Sequence, residues 1–412
     1  MNKIIPAYLF FLFCFLGVTA QEHSLDYFIN QGLANSPLLK DYQNQIRSNI
    51  QDSLLIRAGH KPKIDATGQI LIPPYGKNFG YAEPITNGGN YSAVVGVSQR
   101  MFTKNILNNQ YENIGLQGKA VANNAKISEH ELKKLIGSQY LTTFAQYSEM
   151  LFSKEVLELL QKEEQIMKQL TEKGIYKQSD YLSFLIEKKS QESSLLQQKI
   201  LYRQELYNLD FICGISDTAC YTMPEANIVL TLDTNIENSA VYHKLVIDSL
   251  IGVNSQKEIA FRYKPSLEWF GDAGINSVSP LNAYKYLGFS IGLNFNMPIY
   301  DGKQKDIQLS KIQIAENSRK NYADFYKKQY SLKCIQMKQK INSYDILASQ
   351  VEKQLSDIKT LIEMNKIQLN TGELSVTDHI LAIKNLMETS HQLIVLKLEK
   401  MQMINELNYI SF

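Results

Sequence analysis

Residue types able to carry chemistry are sparse in this chain and poorly placed to act together. His23, His60, His130, His243, His379 and His391 are dispersed, and no two stand at ligand spacing on a helix face, so they predict no metal site. No nucleophile elbow, glycine-rich phosphate loop or cysteine–histidine pattern accompanies the serines and aspartates. The sequence therefore predicts neither catalysis nor a cofactor. Cys213 and Cys220 bracket the loop Gly-Ile-Ser-Asp-Thr-Ala and could form a disulfide in an oxidising compartment, whereas Cys334 falls unpaired on a long helical pattern. Two carboxylates are placed by glycine. Gly174 and Gly372 each end a long helical pattern, as suits a left-handed C-terminal residue, and Asp180 and Asp378 follow six residues later. A carboxylate there offsets the unpaired amides and dipole of the next helix, and Ser375, three residues before Asp378, completes a capping-box spacing.

The element that must position the second of these turns is the stretch Gly302 to Thr371. It holds no proline, and no glycine after its first residue. Ile341, Ala348, Leu355, Ile362 and Leu369 recur every seven residues, and Tyr344, Val351 and Ile358 form a second such series offset by three. This is the a/d stripe of a helix packed in a coiled-coil seam. At a rise of about 1.5 Å per residue such a helix is a rod on the order of 100 Å long. Its remaining faces are too rich in Lys, Gln, Asp and Asn to sit in lipid.

The chain has 412 residues and a net charge of +2, too balanced to indicate nucleic acid as a partner. Lys3, the apolar run Ile4 to Gly17 and Val18-Thr19-Ala20 read as a secretory signal peptide over residues 1–20. No later segment has the length and hydropathy of a transmembrane helix. An exported soluble protein and a protein spanning a membrane as β-strands both fit.

The pattern then runs in two similar passes. Residues 24–59 are helical, broken at Asn35-Ser36-Pro37. A β-hairpin is predicted over 64–99, a long helix from Thr103 to about Thr171, weakened by Gly115, Gly118 and Gly137, and a further helix from about Ser179 to Phe211. After a linker at 213–224 the order repeats. Asn238-Ser239 stands for Asn35-Ser36, and Lys264-Pro265-Ser266-Leu267 for Lys61-Pro62-Lys63-Ile64. A second hairpin spans 267–296, and Gly372 and Asp378 stand 198 residues after Gly174 and Asp180. A duplication with repeats at 21–212 and 225–412 is the simplest account.

The last predicted strand alternates most clearly. Leu287, Phe289, Ile291, Leu293 and Phe295 form one apolar face, while Gly288, Ser290, Gly292, Asn294 and Asn296 form a small or polar one. About ten such residues suit a strand with lipid on one side and water on the other. Leu267, Trp269 and Ile275 mark its partner strand, and Tyr284 and Tyr286 suit an interfacial girdle. Four strands cannot close a barrel, and lipid does not tolerate open edges. A membrane reading therefore requires several copies to share one barrel.

These residues resemble the TolC-like outer-membrane efflux proteins of Gram-negative bacteria. The likeness covers essentially the whole mature chain. It rests on the Asn35-Ser36-Pro37 entry, the Lys-Pro step into each odd strand, the exit Met297-Pro298-Ile299-Tyr300-Asp301-Gly302, and Gly372 followed by Asp378-His379-Ile380-Leu381. The first exit departs from the pattern, with Arg100 in place of the usual proline and Thr103-Lys104 in place of Asp-Gly.

The resemblance implies an α+β membrane protein. Each protomer would combine a long antiparallel α-helical coiled coil with four strands of a trimeric, 12-stranded β-barrel. It implies a passive exit duct for efflux or type I secretion, held in outer-membrane lipid and docked by a periplasmic membrane-fusion adaptor and an inner-membrane transporter. It also implies that Gly174, Asp180, Gly372 and Asp378 line a periplasmic aperture, with Lys173 and Lys177 as basic partners. The alternative is a periplasmic coiled-coil adaptor or scaffold, but such proteins carry one helical hairpin, not two.

Overall fold

A computed structural model describes residues 23–73, 89–216, 221–226, 228–231 and 235–410. The expected signal peptide, most of the first hairpin loop and Cys220 lie outside them, and with Cys220 the expected disulfide. Cys213 is a buried free thiol that desolvation, and then Asp210, pushes up to about 12.

The elements follow in order as α1 (Leu25–Asn35), α2 (Pro37–Gly59), β1 (Lys63–Leu71), β2 (Asn90–Arg100), α3 (Lys104–Glu172) and α4 (Gln178–Cys213). A 3₁₀ turn at Ile236–Asn238 then leads into α5 (Ala240–Arg262) and β3 (Ser266–Ser277). A second 3₁₀ segment, Pro280–Lys285, precedes β4 (Leu287–Asn296), α6 (Gln304–Thr371) and α7 (Val376–Asn408). The two long helices have 69 and 68 residues, matching within one residue as the constant offset requires. No described helix is long and apolar enough to cross a membrane.

The chain forms two compact units, each assembled from separate stretches. One takes the residues to Ser36, His130–Leu232 and Lys333–Ile410; the other takes Pro37–Glu129 and Asp233–Leu332. In the first, Phe28, Ile136, Tyr140, Leu206 and Leu209 form a core with almost no exposure. Asn35 donates its side-chain amide to the carbonyls of Cys213 (2.9 Å) and Gly214 (3.2 Å), so it satisfies the open C-terminal carbonyls of α4. Gly137, read from sequence as a weak point in α3, has a packing reason. A Cβ there would fall 2.6 Å from Oδ1 of Asn405, whose amide donates to Lys134 O at 2.9 Å.

The second unit holds the sheet, a four-stranded antiparallel meander in the order β1-β2-β3-β4. Its register sorts the side chains by face. Ala66, Val95, Ala273 and Phe289 lie in one row, and Ile64, Val97, Gly271 and Ile291 in another. The opposite face carries the row Asp65, Gly96, Asp272 and Ser290, and Ser290 Oγ donates to Asp272 at 2.8 Å.

Helix α6 starts beyond two left-handed residues, Gly302 and Lys303 (φ 66° and 67°). Asp301 Oδ2 accepts from Lys305 N–H at 2.7 Å. The Tyr263 hydroxyl, and then this amide, hold the Asp301 carboxyl below its usual range. A depressed carboxyl contributes stability above its unfolded value and loses it as pH falls. Asp301→Ala is therefore expected to speed amide exchange in the first turn of α6 at neutral pH. Acidification of the native chain to well below the usual aspartate range should do the same. In the first pass, where Thr103-Lys104 replaces Asp-Gly, the left-handed residue is Phe102 (φ 56°), a conformation that costs a bulky side chain.

Candidate functional site

Two places combine unusual geometry with residues singled out by sequence. The first is the sheet. Leu287, Phe289, Ile291, Leu293 and Phe295 all point to one face and are all exposed, Phe289 by 86%. Strands β1 and β2 continue that face, with Ile64, Ile70 and Val95 exposed on it, and β3 adds the half-buried Leu267, Trp269 and Ile275. Tyr284 and Tyr286 stand exposed at the β3–β4 connection. Within one chain β1 and β4 each keep an unpaired edge. An apolar face of this extent, backed by a polar one, is unstable in water as it stands.

The second place is where α3 turns into α4 and α6 into α7. The two turns are built alike. In the first, Ile175 N–H donates to Leu170 O (2.9 Å) and Gly174 N–H to Thr171 O (3.0 Å). In the second, Glu373 N–H donates to Gln368 O (3.0 Å) and Gly372 N–H to Leu369 O (3.2 Å). Both are Schellman motifs, closed by Gly174 (φ 76°) and Gly372 (φ 79°).

The turns also touch. A Cβ on Gly372 would come within 2.6 Å of Ile175. The Tyr176 hydroxyl lies 2.8 Å from Leu374 O and 3.0 Å from Leu369 O, so its single proton ties the first turn to the second. Burial, and then Asp180, raise the Tyr176 hydroxyl above its ordinary value.

The two aspartates differ. Asp180 Oδ2 accepts from Lys177 N–H at 3.1 Å and so caps α4. At α7 the expected capping box is absent. Ser375 makes no side-chain cap, and Asp378, exposed, makes no bond like that of Asp180 among the described contacts. Lys173 and Lys177 are exposed and form no ion pair among the described residues.

The cluster beneath the turns gathers Val156, Leu160, Met167, Phe184, Ile362 and Ile383. Inside it lies a polar contact that sequence reading missed: His379 Nε2 stands 2.8 Å from Glu163 Oε2, with exposures of 0% and 1%. Neither Tyr176 nor Glu163 belongs to a motif. Only the position of Glu163 on a seven-residue series with the apolar Val156 and Leu170 could have flagged it. Among the described residues no three His, Cys, Asp or Glu side chains are grouped to hold a metal.

The architecture combines two long helices of near-equal length with four strands per chain, a fold found in solved outer-membrane channels. Among solved structures it resembles the outer membrane protein VceC of Vibrio cholerae, with TM-score 0.74, 10% identity, and coverage of 95% of this chain and 97% of that one. It likewise resembles the Campylobacter jejuni CmeC outer membrane channel, with TM-score 0.72, 14% identity, and coverage of 94% and 85%. The open-state Neisseria gonorrhoeae MtrE outer membrane channel aligns with TM-score 0.69, 11% identity, and coverage of 94% and 88%. At these identities what is shared is the fold. No family model matches the sequence, and no curated protein does.

Proposed function

We propose that this chain is the outer-membrane exit duct of a tripartite efflux pump or type I secretion system. It acts as a passive conduit from the periplasm to the outside. The observation that carries this reading is the sheet: four strands, one face largely apolar and most exposed along β4, the other mostly polar, and both edges open. Lipid outside, water inside and neighbouring copies at the edges satisfy all three features together. Three copies give the 12 strands of the barrel. A periplasmic adaptor and an inner-membrane transporter then supply the cargo. The fold likeness to VceC, CmeC and MtrE supports the same reading.

The test is fractionation of cells expressing the full chain. Heat-modifiable oligomers in the outer membrane are the expected result. A soluble monomer recovered from the periplasm overturns the proposal.

In this reading the two helix-to-helix turns close the periplasmic end, and Tyr176 is their tether. Tyr176→Phe keeps the ring and removes both contacts to Leu369 O and Leu374 O. A hydrogen bond of this kind contributes about 0.5–1.5 kcal/mol. The expected result is normal outer-membrane trimers with raised resting conductance in planar bilayers. The double variant Asp180→Ala, Asp378→Ala tests the aperture carboxylates in the same assay. Unchanged conductance there leaves Asp180 as a cap alone.

A further inference from the structure

We infer that Glu163 is a positioning residue for the α7 side of the aperture. By gripping His379 it sets the register and rotation of the first turn of α7, and with it Asp378. The inference rests on the exit-duct reading and adds a second, buried control point to it.

The seam between α3 and α7 runs antiparallel. Thr142 meets Gln402, Glu149 meets His391 and Glu163 meets His379. Val156, Leu160 and Met167 fill the α3 side near the turns, and Val376, Ile383 and Leu386 the α7 side. Glu163 and His379 are the ionisable pair placed fully inside that apolar packing. Two apolar residues of similar volume would pack there without desolvating either group. A polar rung in an apolar seam does something they would not do. Any slide or rotation separates the partners and leaves both buried, so one register is selected. The rung has little to spare, because Glu163 Oε1 and His379 Nδ1 have no partner among the described residues.

The start of α7 needs such a device. Helix α4 is fixed at its start by the Asp180 cap, but α7 has no side-chain cap at Ser375. Its first turn is held through its buried face by Val376 and His379, and His379 directly follows Asp378. The equivalent positions 198 residues away are Leu361 and Tyr181, which form no such pair. The two halves therefore fix equivalent turns by different means, a surface cap in one and an internal rung in the other.

The test uses purified full-length trimers in planar bilayers, with trimer yield from the outer membrane as the check on folding. The double variant Glu163→Leu, His379→Leu removes both polar partners and keeps the seam filled. It is expected to form trimers at the native level and to show a several-fold rise in resting conductance. Glu163→Gln, whose amide still reaches His379, is expected to stay near the native conductance. Three results overturn the inference: a double variant as closed as the native channel while Tyr176→Phe is leaky, a Glu163→Gln variant as leaky as the double, or a double variant that yields no trimer. If neither the double variant nor Tyr176→Phe raises conductance, closure by these turns is itself wrong and the inference falls with it.

Discussion

Phe289→Asp is expected to abolish recovery of the protein in the outer membrane. Phe289 is 86% exposed near the start of β4, beside Ala273 of β3 and on the same face as Leu287 and Ile291. In lipid that ring contributes about 1.5–3 kcal/mol by burial. A charge facing lipid costs up to about 2–4 kcal/mol for a cation at the midplane, and less nearer the interfaces or for a carboxylate. Each copy in a trimer bears the loss, so the sum is comparable with the margin of an ordinary folded protein, about 5–15 kcal/mol. The control is Ser290→Asn, one residue on but on the opposite face, where an amide can still donate to Asp272, and it is expected to assemble. If the sheet instead faced water, Phe289→Asp would be mild or would improve solubility. Equal outer-membrane yield of the two variants would remove the lipid-facing assignment.

The second large effect is expected from Gly274→Ala. Gly274 pairs with Val94 across the β2–β3 ladder, where the two hairpins join. A Cβ on it would fall 2.2 Å from the Ala93 carbonyl oxygen and 2.6 Å from the Val94 Cα. Both are backbone atoms of the next strand, so no rotamer change relieves the clash. The strands must part, and the ladder bonds on either side lengthen. Overpacking a well-fitted site costs about 1–3 kcal/mol and more when backbone must move. Trimers of the variant should dissociate at clearly lower temperature than native trimers on semi-native gels. Gly288→Ala, in the same row with open space around its Cα, should dissociate at the native temperature.

Element types and order could be read from the sequence because each element repeats a strong local signal. The heptads of Ile341 to Leu369 specify α6, the alternation of Leu287 to Phe295 specifies β4, and Gly174 and Gly372 mark turns whose left-handed geometry only glycine adopts freely. What escaped was long-range. Tyr176 meets Leu374, its own equivalent 198 residues on, and Glu163 meets His379 across 216; the repeat offset marks the first pair as equivalents without saying that they touch, and no spacing rule connects the second. Asp378 illustrates the opposite error. Its local pattern fits a capping box, yet the structure caps only the equivalent helix at Asp180, because side-chain direction at a helix start follows packing that a spacing does not record. Gly137 was read as a weakness for the same reason, its neighbour Asn405 lying far along the chain.

The interleaving of the two compact units constrains how this molecule is made. The unit that carries the sheet cannot form until its second stretch, Asp233–Leu332, has been synthesised, and the other waits for Lys333–Ile410. Strand β2 has no partner on its inner edge until β3 emerges at Ser266. Contacts this distant in sequence form slowly, and unpaired apolar strands invite aggregation in the interval. Neither unit can therefore complete its packing until the last third of the chain has joined it.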